Sequence, residues 1–397
     1  MNLLLILTAY PPSVGGAQIH MHQLAQSLAR RHAVQVVTQW DEQRTDWLRG
    51  TTLDAPRQAQ AYVVDGVPVQ RLTLTPEARR RLRPWVWSYF ALQGPALRRI
   101  AAELQAVMAP HAAAADLIHN CRIGREGLSY ASYQLARARG VPFVLTPVHH
   151  PRWGGWRHRY YHRLYRQADA VIALTEAERD TLVSLGVAPQ RVQVTGIGPV
   201  LADAADGDRL RREHGWGADP VVLFLGQKYA YKGLAALLAA APIVWQRRPE
   251  TRFVFVGPRT PYSRRLFARV NDARVVEWDR VDVQTKTDAL AACTLLCVPS
   301  TQESFGGVYT EAWSLGKPVI AADIPAVRQV VSDGVDGLLV QAGAGDLADK
   351  LGELLAHPER AAALGAAGRR KVAERYTWER LAALTEAAYA RALAGGL

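Results

Sequence analysis

Short apolar runs alternate with helix-length amphipathic stretches over nearly the whole chain. In the first half the runs fall at residues 3–8, 34–38, 117–119, 141–146 and 170–174. In the second half they fall at 221–225, 252–256, 275–278, 295–298 and 318–321. Runs this short, separated by helical segments, predict βα units whose parallel sheets are buried on both faces. Between Thr195 and Pro220 the pattern lapses into Gly, Ala and Asp, which marks a linker. The expectation is an α/β protein with domains over 1–198 and 199–375 and a final helix over 376–397. Thr377 is the N-cap candidate of that helix, and Leu381, Leu384 and Tyr389 supply its apolar positions.

Composition narrows the class. The 397 residues are 49% hydrophobic and only 21% charged, enough apolar material for more than one core and too little charge for a disordered polyelectrolyte. The three cysteines are too few for a disulfide framework, and Cys293 and Cys297 sit in an apolar run where they read as packing. No metal site is expected. The strongly apolar stretch 233–246, which carries no charge, is shorter than the ~20 residues of a membrane span. Residues 1–7 lack a basic flank and read as a first strand rather than a leader, so a cytoplasmic location is expected.

The formal net charge of +12 is concentrated. Residues 79–99 carry Arg79, Arg80, Arg81, Arg83, Arg98 and Arg99, and residues 152–166 carry Arg152, Arg157, Arg159, Arg163 and Arg166, with no acid in either segment. Trp85, Trp87, Tyr89 and Phe90 accompany the first, and Trp153, Trp156, Tyr160, Tyr161 and Tyr165 the second. Such segments suit an anionic membrane surface or a nucleic acid, or form a solvated basic face over packed aromatics. No nucleic-acid-binding motif accompanies them, which leaves nucleic acid as the distant alternative.

Four constellations can carry chemistry. Gly15 and Gly16 lie between the first strand and a helix, where the backbone can approach a phosphate at a helix N-terminus. Gln227, Lys228 and Lys232 follow the first strand of the second half, at the mouth where α/β sheets bind ligands, and two lysines there suit a diphosphate. In the third, Glu303 sits in a loop after a strand and Glu311 one turn into the helix that follows. The pair suits the hydroxyls of a polyol, and Gly306 and Gly307 expose N–H groups at the helix start. His149 and His150 follow a first-domain strand, and in an extended segment only one of them faces a ligand. Asp206-Gly207-Asp208 has the letters of a metal motif but lies in the linker.

The ordered series Gly226…Lys232-Gly233, Glu303-Ser304-Phe305-Gly306-Gly307…Glu311-Ala312, Gly316-Lys317-Pro318 and Asp333-Gly334…Gly337-Leu338 resembles the retaining glycosyltransferases of family 4, of GT-B fold. The resemblance implies two Rossmann-like domains facing across a cleft and a last helix returning to the N-terminal domain. It also implies transfer of a sugar from a nucleoside diphosphate to a lipid-linked or polysaccharide hydroxyl, with no cofactor or metal. Carried over, Glu311 binds the ribose, Glu303 the sugar, and the main chain from Ser304 and Phe305 to Val308 the sugar and diphosphate. Lys232 then pairs with the diphosphate and Gly16 closes on it, with Arg280 and Val281 near the base. His149 or His150 stands for the family's acceptor-domain histidine. Gln227 occupies a position where family members carry arginine, so either Lys228 supplies the second positive charge or the leaving group has one cation fewer. An epimerase or phosphorylase on the same plan is the alternative within the fold.

Overall fold

The computed structural model describes residues 1–13, 15–42, 47–122, 126–149, 153–341 and 343–395, the side chain of Glu126 excepted. The chain divides into two compact units. Unit 1 is Met1–Gly196 together with Trp378–Leu397, and unit 2 is Ile197–Thr377.

Unit 1 is built on β1 (Asn2–Leu7), β2 (Ala33–Thr38), β3 (Gln60–Val64), β4 (Val67–Arg71), β5 (Leu117–Cys121), β6 (Phe143–Thr146), β7 (Ala170–Ala173) and β8 (Val192–Val194). Their spatial order is β3-β4-β2-β1-β5-β6-β7-β8, parallel except for the β3–β4 hairpin. Its helices are α1 (Gly16–Ala29), α2 (Pro76–Trp87), α3 (Gln93–Met108), α4 (Glu126–Arg139), α5 (Arg159–Gln167) and α6 (Glu176–Ser184). Alternation along β1 feeds two cores. Leu4 and Ile6 join the apolar side chains of α2 to α5, whereas Leu3, Leu5 and Leu7 join those of α1. A sheet buried on both faces needs an apolar residue at every position, which is why these strands read as continuous runs.

Unit 2 begins with α7 (Gly207–Glu213) and continues through β9 (Val221–Leu225), α8 (Leu234–Trp245), β10 (Arg252–Val256), α9 (Pro261–Phe267) and β11 (Val275–Trp278). It goes on with α10 (Val283–Ala292), β12 (Leu295–Val298), α11 (Gly307–Ser314), β13 (Val319–Ala322), α12 (Pro325–Arg328) and β14 (Gly337–Val340). Helices α13 (Ala344–Ala356) and α14 (Pro358–Arg375) close it. The sheet is wholly parallel, in the order β11-β10-β9-β12-β13-β14. Among the described residues, no helix is long and apolar enough to cross a membrane.

The structure corrects the apolar-run reading in two places. Strands β3, β4, β8 and β14 were not among the runs. β3 is an exposed edge strand and β8 has three residues, so neither shows a buried signature. The β3–β4 turn is Asp65-Gly66 with φ of 47° and 81°, the positive values that a two-residue hairpin requires and that Asp-Gly supplies. The stretch 195–220 is no plain linker, because it holds α7. Asp206 caps that helix by accepting the Arg209 N–H at 2.8 Å, and Gly207 packs against α10 where a Cβ would lie 2.5 Å from the Ala292 nitrogen. Leu210 is its one buried apolar side chain, too little to show periodicity.

The last helix, α15 (Trp378–Ala394), belongs to unit 1 and covers the α1 side of its sheet. Its Tyr389 hydroxyl bonds His119 Nδ1 at 2.7 Å, while His119 Nε2 bonds Thr146 Oγ1 at 2.8 Å. His20 of α1 packs its ring on Trp378 and leaves a buried Nδ1 without a hydrogen-bond partner. Burial holds both rings neutral, lowering His20 to about 4 and His119 to about 3. Both values lie below that of an unfolded histidine, so the stabilisation is present above pH 6.5 and is lost as the pH falls toward 4. Each histidine should weaken the fold by up to about 1.4 kcal/mol per pH unit over that window. Thermal unfolding of unit 1 followed from pH 7.5 to 5 should show this decline, and His20→Gln should make it shallower.

Candidate active site

In unit 2 the strand order reverses between β9 and β12, since β9 runs on to β10 and β12 to β13. Loops that leave the carboxyl ends of two such strands diverge around a crevice, the general ligand site of open parallel sheets. Two of the sequence constellations sit on those loops. After β9 come Gly226 to Gly233, and after β12 come Pro299 to Gly306.

The loops are locked together. Gly233 adopts φ 83° at the start of α8, and a Cβ there would stand 2.4 Å from the Pro299 carbonyl oxygen. The Thr301 N–H donates to the Tyr231 carbonyl at 2.8 Å. Lys232, in the short turn before Gly233, donates from Nζ to Glu303 Oε1 at 2.5 Å, both side chains mostly buried. Next to this pair, Gly306 at φ 86° opens α11 with no side-chain cap. The first N–H groups of α11, at Gly307 and Val308, form the positive end of a helix dipole with no side-chain hydrogen bond capping it.

Glu311 lies on the second turn of α11 and is buried. Lys286 of α10 donates to its Oε1 at 2.7 Å and to the Val200 carbonyl at 2.5 Å. Burial pushes the Glu311 carboxyl above its ordinary range, and Lys286 and the Val200 N–H pull it back. Lys286 was absent from the sequence-based candidates. A lysine on a helix preceding the motif has no local signal, and only the packing of α10 beside α11 makes it a partner.

Lys228 does not supply a second free cation. It is fully buried, and its ammonium donates to Glu277 Oε1 at 2.7 Å and to the Trp278 carbonyl at 2.6 Å. Burial lowers its proton affinity and Glu277 restores part of it. Glu277 also accepts from Arg259 Nε at 2.8 Å, so Lys228 ties the β9 loop to the ends of β10 and β11. Lys228 and Lys232 are four positions apart, yet one is scaffold and the other faces Glu303. Gln227 is half-buried beside them.

The remaining donor candidates divide. The Phe305 ring is core, edge-on to Tyr376 at 5.3 Å, so only its main chain is available. Ser304 and Val308 are half-buried on the loop and the helix start. Arg280 and Val281 follow β11, the edge strand two places from β9, and Arg280 is exposed with its N–H on Asp279 at 2.8 Å. Among the described residues, no hydrogen bond joins Arg280 or Val281 to the lysine–glutamate pairs.

In unit 1 the sheet reverses between β1 and β5. Gly15 caps α1 in extended conformation and Gly16 begins it, with open space where a Gly16 Cβ would go and no side-chain cap on the helix. His149 follows β6. Its N–H donates to Glu178 Oε1 at 2.5 Å, and its ring packs against Trp153, His162 and Tyr165. Glu178 also accepts the Leu174 N–H at 2.7 Å, and burial lifts its carboxyl to about 7. Thr175-x-x-Glu178 has the letters of a helix-capping box, a signal that could have singled out Glu178. His150 lies outside the described residues.

Residues 15–198 match the family model described as glycosyl transferase 4-like domain, and residues 219–357 match that of glycosyl transferases group 1. Over 239 residues the chain is 35% identical to the D-inositol 3-phosphate glycosyltransferase of Kribbella flavida, covering 56% of each. It therefore spans little more than half the length of that relative. Over 97% of its length it is 29% identical to the alpha-maltose-1-phosphate synthase of Mycolicibacterium smegmatis, 98% of which is covered. Sucrose-phosphate synthase from Thermosynechococcus elongatus shares the fold with a TM-score of 0.77 at 22% identity, over 99% of both chains. Anabaena HepE in complex with UDP and glucose shares it at 0.73 and 19%, over 98% of both. The chain belongs to the family-4 glycosyltransferases, of GT-B fold.

Removing Lys286 strands a buried carboxylate. Lys286→Met should destabilise unit 2 by about 3 kcal/mol at pH 8. The deficit should shrink at lower pH, where the raised Glu311 carboxyl protonates and no longer needs a partner. Urea unfolding at pH 8 and pH 5 measures it, and Glu311→Gln in the same chain should recover most of the loss.

Proposed function

We propose that the protein is a retaining glycosyltransferase that moves a sugar from a nucleoside diphosphate to a hydroxyl of a polysaccharide or lipid-linked glycan, without a metal ion. The observation that carries this is the meeting, at the β9/β12 reversal, of the Lys232–Glu303 pair with the uncapped start of α11. The HepE structures, which hold UDP and glucose or UDP-glucose, support a donor of this class. The working location is the cytoplasm.

Breaking a sugar–phosphate bond places negative charge on the departing diphosphate. An ammonium and two helix-start N–H groups fixed at that place need no reorganisation as the charge grows, which is the condition for large electrostatic catalysis. Lys232 serves as the cation, and Gly307 and Val308 as the N–H donors. Glu311, held ionised by Lys286, accepts from the ribose hydroxyls, and Glu303 accepts from hydroxyls of the transferred sugar. The start of α1 at Gly15 and Gly16 suits phosphate oxygens by the same helix-end chemistry. In a same-face substitution the acceptor oxygen bonds to the anomeric carbon as the phosphate oxygen leaves. The acceptor proton passes to that phosphate oxygen.

Lys232→Ala should lower transfer a hundredfold or more, about 3 kcal/mol of transition-state stabilisation, with the fold intact. Nucleoside diphosphates screened by thermal shift should raise the melting temperature of the parent and raise that of Lys232→Ala less. Product analysis with the donor so identified should show an elongated acceptor and free nucleoside diphosphate. A rearranged sugar nucleotide with no elongated acceptor would instead assign the site to an epimerase, and normal transfer by Lys232→Ala would remove the diphosphate role.

A further inference from the structure

The two arginine-rich segments, 53 residues apart between their ends in sequence, form one surface of unit 1. Gln93 at the start of α3 donates from Nε2 to the Arg157 carbonyl at 3.0 Å. Gly94 leaves room for the Tyr160 hydroxyl, which a Cβ would meet at 2.4 Å, and the Arg98 guanidinium lies beside the same spot.

Packing separates inward from outward large apolar side chains. Tyr89, Tyr161 and Tyr165 point inward and belong to the core under the sheet. Trp87, Phe90, Leu92 and Trp156 point outward, with 65%, 52%, 49% and 62% of their surface exposed. They lie on the last turn of α2, the loop into α3 and the turn before α5.

The arginines sort likewise. Arg79 is spent on structure, donating to the carbonyls of Leu53, Leu74, Ala55 and Pro56. Arg81 chelates Glu103 at 2.8 and 3.0 Å, and Arg80 pairs with Glu77. Arg83, Arg98, Arg99, Arg157 and Arg163 are exposed, and no described carboxylate lies within ion-pair distance of them. Arg83 stands one helical turn before Trp87, on the same face of α2.

We propose that this face docks the protein on an anionic lipid bilayer, with Trp87, Phe90, Leu92 and Trp156 seated among the headgroups and the unpaired arginines on lipid phosphates. A bilayer meets both features at once, whereas no nucleic-acid-binding motif accompanies them. Its interface takes up indole and phenyl rings, and its negative surface draws basic side chains. Large apolar side chains exposed among basic ones mark an interaction face, and the Arg49 and Arg159 guanidinium groups lie over the Trp87 and Trp156 rings. The contact is peripheral. The inference does not depend on the transferase reading, because neither donor nor acceptor takes part in it.

Co-sedimentation of the full chain with vesicles tests it. Binding should occur to phosphatidylcholine mixed with phosphatidylglycerol, not to phosphatidylcholine alone, and should fall with added salt. The triple change Arg83→Gln, Arg98→Gln and Arg99→Gln should lower partitioning about a hundredfold, at roughly fivefold for each arginine. Trp87→Ser with Phe90→Ser should also lower it while leaving the salt dependence. All these side chains are exposed, so circular dichroism should be unchanged, and the nucleoside diphosphate thermal shift should persist in every variant. Equal binding to neutral vesicles, or undiminished binding by the triple variant, would overturn the proposal. Salt-sensitive binding to a single-stranded oligonucleotide without vesicle binding would assign the face to nucleic acid. Loss of vesicle binding with the diphosphate shift intact leaves the enzyme reading standing, and the reverse result separates the two in the other direction.

Discussion

Everything at the candidate site depends on two loops being held in contact where the unit 2 sheet reverses direction. Lys232 reaches Glu303 because Gly233 lets the backbone close on the Pro299 carbonyl, an approach that any side chain would block. The parallel order β10-β9-β12-β13 puts both loop origins side by side, and the left-handed Gly233 and Gly306 then start α8 and α11 from that point. The same arrangement aims the N-terminus of α11 at the pair. Both loops and the two helix starts are thereby fixed by backbone geometry, which leaves little to be ordered when a ligand arrives.

Charges withdrawn from water set the rest. Lys228 with Glu277, and Lys286 with Glu311, are each shielded, and each is matched by a partner from a different element. An isolated buried charge is costly, so such pairs fix which helix sits against which strand. In unit 1 the buried Glu178 accepts N–H groups from the ends of β6 and β7 and joins them beside His149. The neutral His119 performs the equivalent task for α15.

Much of the fold was legible along the chain. Strands buried on both faces announce themselves as apolar runs, and the series from Glu303 to Gly337 carried the family. Edge and short strands were not legible, because β3 is half in water and pairs without burying an apolar face. Of the candidate site, Lys232, Glu303, Gly306, Gly307 and Glu311 were legible in the sequence, whereas Lys286 was not, because only packing brings it to Glu311. Whether Lys228 is a free cation was not legible, because its partner Glu277 is 49 positions away in sequence and adjacent in space.

The sequence by itself determined the α/β architecture, the glycine turns and the chemistry available at each loop, since these follow from local pattern and side-chain type. Which lysine is buried and which faces the crevice was decided only by the tertiary structure. So was the choice of arginines that support carbonyls over those that face water. The physical reason is the same in both cases. A charged side chain's role is set by desolvation and by the nearest opposite charge, and both come from residues that the fold, and not the chain order, makes neighbours.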